Sequence, residues 1–275
     1  MTSAERYADL EFLEVEVADR VATIRLNLPD TLNAMDDAAH KELSTILRTV
    51  ASDESVNAAV VTGAGRAFSV GGDLSLVENM NRDPSSLLGV MRDARELVQA
   101  HIDFEKPIVA AINGVAMGAG LAFALLCDFI IIERGARVAD GHVRAALTAG
   151  DGGALIWPLA VGLVQAKKYL MTGDWLSADE AERLGLVTEV VDSGTSVERA
   201  HAIARRLADG PQVAIRTTKM ALNQWLRLGQ LGSFDYSLAL EMISAVHADV
   251  PRALQGLRTN RVGAIAAEES DDGGA

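Results

Sequence analysis

The chain is poor in cysteine, in aromatic residues and in positive charge. Its single cysteine, Cys127, can form no internal disulfide, which fits a reducing compartment such as the cytoplasm. Aromatic residues make up 4% of the sequence, and Trp157, Trp175 and Trp225 read as packing residues rather than a ligand cage. Lysine and arginine number 25 against 38 acidic residues, a formal net charge of -13. Phosphate backbones need a positive face, so a general nucleic-acid binder is excluded, while a small polyanionic ligand needs only a few basic residues gathered locally. No apolar stretch opens the chain: Glu5, Arg6 and Asp9 interrupt its first ten residues, and no signal peptide is evident.

One long hydrophobic run does occur, Pro107 to Cys127. It is interrupted by Asn113-Gly114, a turn signal, and by Gly118 and Gly120, so it reads as a buried strand, a turn and a buried helix rather than a membrane span. The whole chain is 49% hydrophobic and 23% charged over 275 residues, which is a globular composition with enough length for a sizeable core.

Leu13–Val17 and Val21–Leu26 are β-rich runs around Asp19-Arg20 and predict a hairpin. Leu43, Ile46, Leu47 and Val50 recur at helical spacing behind Asp36 and Asp37, which predicts a helix from Asp36 to Val50. Ala58–Thr62 and Ile108–Ile112 read as buried strands and Leu87–His101 as a helix. The later half reads as mainly helical: Ala154–Leu163, Gln165–Met171, Ala178–Leu184, Val197–Leu207, Val213–Leu226 and Leu238–Val250. This order predicts an α/β core followed by a helical C-terminal part, with an acidic, small-residue tail that lacks the means to fold.

Two glycine-rich turns follow buried strands: Gly63-Ala-Gly-Arg-Ala-Phe-Ser-Val-Gly-Gly-Asp73 and Asn113-Gly-Val-Ala-Met-Gly-Ala-Gly-Leu121. Glycine permits close backbone approach, and free N–H groups at a helix start favour negative charge. Two such groups converging on one oxygen make an oxyanion hole. Neither turn has the dinucleotide or phosphate-loop pattern, and no Gly-x-Ser-x-Gly elbow occurs. Either turn alone is equally a tight bend in a compact α/β protein.

Together with Leu26-Asn-Leu-Pro-Asp-Thr-Leu-Asn-Ala-Met35, Cys127-Asp128 and the run from Leu170 to Val187, these turns resemble the crotonase (enoyl-CoA hydratase/isomerase) superfamily, from about residue 12 to about residue 260. The resemblance implies a spiral of β-β-α units over 1–195, a helical trimerisation region over 196–262 and a disordered tail over 263–275. It also implies trimers, often paired into hexamers. The substrate is expected to be an acyl-CoA, with coenzyme A as part of it, no separate cofactor, no metal, no nucleic acid and no membrane. By motif position the thioester oxygen falls between the N–H groups of Gly72 and Ala119, and substrate-binding backbone lies at Ala34, Ala67, Asp73 and Leu74, with the adenine end near Ala34 and Ala67.

The chain departs from the resemblance at the proton-transfer positions. Hydratases of the superfamily hold water between two glutamates, and those positions fall on Ala122 and His142. His142 and Asp151, in Ala149-Gly-Asp-Gly-Gly153, are the candidate acid–base residues. Dihydroxynaphthoyl-CoA synthases and dienoyl-CoA isomerases carry an aspartate in this loop, and the His142 to Asp151 spacing resembles the oxocamphor hydrolase branch. Asp140 is a third candidate that orients His142. The competing readings are structural: a hydrogen-bonded histidine and a turn-shaping aspartate. His40, His101, His201 and His247 lie in helical patterns without metal spacing, and Arg25, Arg66, Arg258 and Arg261 read as surface charges before phosphate ligands. Three functions follow: an enoyl-CoA hydratase or isomerase working through a stabilised enolate; a hydrolase of a CoA thioester or a β-keto carbon–carbon bond; or a non-catalytic acyl-CoA-binding homologue.

Overall fold

The structure is a computed structural model and describes residues 3–259. In chain order the strands are β1 Leu13–Ala18, β2 Val21–Leu26, β3 Ala58–Gly63, β4 Ala67–Ser69, β5 Ile108–Ile112, β6 Val115–Met117, β7 Phe129–Glu133, β8 Arg137–Ala139, β9 Leu176–Ser177 and β10 Glu189–Val191. The helices are α1 Ser3–Arg6, α2 Asp37–Ala51, α3 Leu74–Arg82, α4 Pro84–Asp103, α5 Gly118–Leu125, α6 Gly153–Thr172, α7 Ala178–Leu184, α8 Ser196–Ala208, α9 Gln212–Gly229 and α10 Asp235–Ala245.

Two sheets share the strands. One has the order β1-β2-β3-β5-β7-β10 and the other β4-β6-β8-β9. The β1–β2 pair is the expected antiparallel hairpin, with Leu13 opposite Leu26. Beyond it the large sheet is parallel, with Val60 opposite Val109 and Ala110 opposite Ile130. The chain steps from a long-sheet strand to a short-sheet strand and then to a helix: β3, β4, then α3 and α4; β5, β6, then α5; β7, β8, then α6. This is the spiral of β-β-α units expected from the resemblance. The apolar run 107–127 resolves into β5, a turn, β6 and α5, and no helix of the described residues is long and apolar enough to cross a membrane.

Strand β3 is buried along its whole length, because both of its faces are covered. Ala59 and Val61 join the main core with α2 and α4. Ala58 and Val60 face a second core, against Ala200, Ala204 and Ala208 of α8. These alanines recur every four residues along one stripe of α8, and their small side chains let the helix lie close on the sheet. Trp157, 1% exposed, anchors α6 beside Tyr169, a burial worth about 2–3 kcal/mol for a large apolar side chain.

The structure corrects several expectations. The later half also holds the short strands β8, β9 and β10, and β7 and α3 lie where no element was expected. The two helices expected over 154–171 are present within α6, divided at Gly162, whose φ of +77° and ψ of 157° are not helical. The expected helix Leu238–Val250 starts earlier, at Asp235, and breaks after Ala245; residues 249–259 form a separate helix. Trp225 is 67% exposed rather than packed, whereas Trp175 sits between the guanidinium groups of Arg137 and Arg144, each 5.2 Å from its ring. The acidic tail and Arg261 lie outside the described residues.

Candidate active site

Both glycine-rich turns end at one cavity of about 90 Å³. The first approaches it through Gly71 and Gly72. Met35 pairs with Gly72 through the Gly71 carbonyl and the Asp73 N–H, so that bridge leaves the Gly72 N–H unused. Gly71 has φ +80°, and a Cβ there would lie 2.8 Å from the Met117 carbonyl and 3.4 Å from the Ala119 nitrogen; only glycine lets the two turns come this close. The second turn arrives as the start of α5, whose N-cap, Met117, offers no side-chain cap to the first-turn N–H groups. Gly72 and Ala119 therefore both line the cavity.

A buried asparagine that sequence reasoning passed over fixes the first turn. Asn33, fully buried with φ +55°, donates through Nδ2 to the carbonyls of Ala64, Ala67 and Phe68 at 2.9–3.1 Å and accepts from the Leu28 N–H at 2.9 Å. A second cavity of about 200 Å³ adjoins the first, sharing Val70, Gly72, Leu74, Met117 and Leu257. Ala34, Asp73 and Leu74 line it; Ala67 is buried in β4 and lines neither cavity. Asp73 also caps α3, accepting from the Ser75 N–H at 2.7 Å. Of the four arginines considered for phosphates, Arg25 pairs with Glu14 and Arg258 with Glu78, and among the described residues no lysine or arginine lines either cavity.

His142 stands in a short 3-10 turn after β8. Asp140 accepts from its backbone N–H at 3.2 Å and contacts its Nδ1 at 2.8 Å, so the aspartate both shapes the turn and orients the ring. On the other edge, Nε2 lies 3.1 Å from Asp151 Oδ2 and 4.0 Å from Glu241 Oε1. All four side chains are less than one-tenth exposed. Asp151, Asp140 and His142 thus come together as the sequence suggested. Ala122 is buried in α5 and lines neither cavity.

Glu241 is the residue that sequence reasoning missed. It comes from α10, which docks on the loop carrying Asp151: Ser237 Oγ donates to the Gly150 carbonyl at 3.2 Å, and the Thr148 N–H donates to Ser244 Oγ at 2.9 Å. A five-residue π segment, Gln230–Phe234, precedes α10 and sets the face it presents. The sequence marks Glu241 only as an acid on the same helical stripe as the buried Leu238 and Ala245, a sign of burial and not of the partners it meets.

Burial opposes charge on His142, but Asp151 and Asp140 outweigh it and hold the imidazole protonated well above its ordinary range. Burial likewise works against an ionised Asp151, yet the His142 charge and hydrogen bond keep its carboxyl below the usual value. Glu241 goes the other way: burial first, then Asp151 and Asp140, push it up to about 8 although His142 opposes them. The site at neutral pH holds a carboxylate, an imidazolium and a carboxylic acid side by side. Asp151 Oδ1 and Glu241 Oε2 are buried without a hydrogen-bond partner among the described residues. Ligand atoms of His142, Asp151 and Glu241 lie within 4.8 Å of one another, a spread that suits a divalent ion. An imidazole held between carboxyls at these distances also suits proton transfer.

A sequence model of the family Enoyl-CoA hydratase/isomerase matches residues 16–250. The chain is 32% identical to the short-chain-enoyl-CoA hydratase of Clostridium acetobutylicum, over 85% of its own length and 87% of that protein's. It is also 32% identical to the 1,2-epoxyphenylacetyl-CoA isomerase of Escherichia coli, covering 84% and 88%. An enoyl-CoA hydratase/isomerase from Mycobacterium paratuberculosis superposes with a TM-score of 0.87 at 38% identity, covering 90% of this chain and 99% of that one. With a matching spiral, a matching family model and relatives along most of its length, the chain belongs to the enoyl-CoA hydratase/isomerase family of the crotonase superfamily.

Proposed function

We propose that the chain adds water to, or removes it from, an enoyl-CoA through an enolate held by the Gly72 and Ala119 N–H groups, with Asp151 and Glu241 serving as the two carboxyls of the reaction. The observation that carries this reading is a pair of buried carboxyls, Asp151 and Glu241, against one edge of His142 at the wall of the cavity bounded by Gly72 and Ala119. In hydration, Asp151 takes a proton from water as its oxygen bonds the β-carbon. Electron density moves to the thioester oxygen, and Glu241 then protonates the α-carbon. The proton taken by Asp151 returns to Glu241 through His142 Nε2, which closes the cycle. The substitution at the usual glutamate positions is thus compensated from other elements, and no cofactor beyond the CoA of the substrate enters. An oxyanion donor of this kind contributes about 3 kcal/mol to the transition state. The apolar C-terminal helices support a homotrimer or hexamer.

The test is hydration of crotonyl-CoA, followed by loss of its conjugated absorbance. Turnover that falls in Asp151→Asn and in Glu241→Gln is the expected result; wild-type turnover untouched by either change removes the pair from the mechanism.

A second reading is favoured by one observation, that among the described residues both cavities are lined without lysine or arginine. Hydrolysis of the carbon–carbon bond between two carbonyls needs no phosphate contacts and suits a compact apolar cavity. A chain-cleaved acid formed from a β-diketone, with no hydration of crotonyl-CoA, selects it.

A further inference from the structure

His40 stands in the first cavity with nothing to hold. It sits in the first turn of α2, whose N-cap Asp36 accepts from the Ala39 N–H at 2.9 Å, and its backbone N–H is bonded to the Asp36 carbonyl at 3.0 Å. Its side chain lines the cavity at 7% exposure and makes no hydrogen bond among the described residues. The other four histidines all have partners. His101 Nδ1 lies 2.9 Å from the Leu97 carbonyl with its ring edge-on to Phe123, and His201 Nε2 lies 3.2 Å from Thr23 Oγ1. His142 is clasped by its aspartates, and His247 pairs with Asp249 at 3.1 Å. Among the described residues His101 keeps its Nε2 buried without a partner, so what sets His40 apart is that neither of its nitrogens is paired and that it lines the cavity.

The surroundings sharpen the contrast. Among the described residues, the only polar side chains lining this cavity are His40, His142, Asp151 and Glu241. The last three hold one another, while Leu76, Val77, Met80, Val90, Met91 and Ala94 of α3 and α4 make an apolar wall. Burial keeps His40 neutral although Asp151 and Asp93 favour its charged form. A neutral imidazole offers one donor and one acceptor, and a ligand that displaces water from the cavity without pairing them leaves them unpaired at a cost. Within this cavity the acyl portion of a ligand is the available partner.

We propose that His40 binds a second oxygen of the substrate, an oxo or hydroxyl group on the acyl portion, distinct from the carbonyl oxygen held at Gly72 and Ala119. The inference rests on the cavity being the acyl site, as proposed above. It ranks acyl chains that carry such an oxygen above plain ones such as the crotonyl chain, which the site still admits. A plain hydrocarbon chain would leave the imidazole unpaired, and a site built to pair a substrate oxygen discriminates against the analogue that lacks it.

The test is titration calorimetry of the full chain with acetoacetyl-CoA, 3-hydroxybutanoyl-CoA and butanoyl-CoA. Wild-type protein is expected to bind at least one oxygenated ligand tighter than butanoyl-CoA by about 10-fold or more. In His40→Leu that ratio should fall to about one, and in His40→Gln, which keeps an amide donor, part of it should return. Should His40→Leu fail to give a cooperative melt, the His40→Gln ratio decides alone, a ratio equal to wild type counting against the proposal. Equal binding of all three ligands to wild type, or a preference that survives His40→Leu, overturns the role of His40 and leaves the cavity assignment standing. Binding of none of them overturns the cavity assignment and this inference together.

Discussion

At the scale of single residues, the protonation of Glu241 governs how the site responds to pH. Its carboxyl, raised from an ordinary 4.5 to about 8, still carries its proton at neutral pH, mainly because burial disfavours the anion. A mechanism that uses it as the acid is active below pH 8 and fades as pH rises through that value. Glu241→Gln keeps a hydrogen-bonding group but has no proton to give, so kcat should fall about 100- to 10,000-fold with a much smaller change in KM. Any residual activity should lack the alkaline limb, and a pH profile of both proteins checks this. Stability carries the same sign. The folded chain holds a proton that the unfolded chain releases above 4.5, so this contribution is complete below 4.5 and lost as pH rises through about 8. His142, also raised, acts in the same direction. Asp151, lowered, contributes above the usual carboxylate range and loses its contribution in acid. The melting temperature of Glu241→Gln relative to wild type should therefore rise between pH 6 and pH 9; a constant difference would mean that Glu241 does not titrate there.

At the scale of elements, the site depends on the docking of α10 against the loop 148–151. Gly150 is where the two meet: a Cβ there would lie 2.6 Å from the Ser237 carbonyl, 2.6 Å from Glu241 Oε2 and 2.7 Å from Glu241 Cβ. Backbone is among the obstacles, so Gly150→Ala must push the helix away rather than merely turn a side chain. The expected cost is about 1–3 kcal/mol of stability, as for overpacked cores. Activity should fall by more than that loss explains, because Glu241 moves with its helix. Thermal melts and turnover measured together at a temperature where the variant is folded separate the two effects. This docking also explains what the sequence could and could not show. The hairpin β1–β2, α2, β5 and α7 carry periodicity or punctuation strong enough to read directly. Strands β4, β6, β8 and β9 have two or three residues each, too few for an alternation to be counted. β7 is a short apolar run, buried within a parallel sheet, that continues the apolar segment of α5 without a change of period. His142 and Asp151 were legible because they lie in one loop region that the family resemblance marks. Glu241 and His40 were not, since a helix far along the chain and an acidic first turn gave no sign of a shared cavity. Their meeting is a property of the tertiary fold.

At the scale of the whole molecule, the C-terminal helices present an apolar surface that no other described residue covers. Leu222, Trp225 and Leu228 recur every three residues along α9, and all are more than 60% exposed. Leu231 in the π segment, Tyr236 and Ile243 in α10, and Leu163 and Val164 near the kink of α6 are exposed as well. Scattered apolar residues need no explanation, but a row of large ones along one helix, centred on a tryptophan, marks an interaction surface. Elsewhere charge dominates the sequence at -13 overall, which would keep copies apart unless such a surface joined them. The proposed trimer or hexamer buries this row against other copies of the chain. In sedimentation equilibrium the wild type should run at three or six times the chain mass. Trp225→Asp places a charge at the centre of the row and should shift the distribution towards the single chain. Because the α10 that carries Glu241 continues from α9 through the π segment, the dissociated variant should also melt at lower temperature than wild type, and its melting temperature should lose any dependence on protein concentration. A wild type that sediments as a single chain at micromolar concentration would show that this face is covered by something other than a second copy.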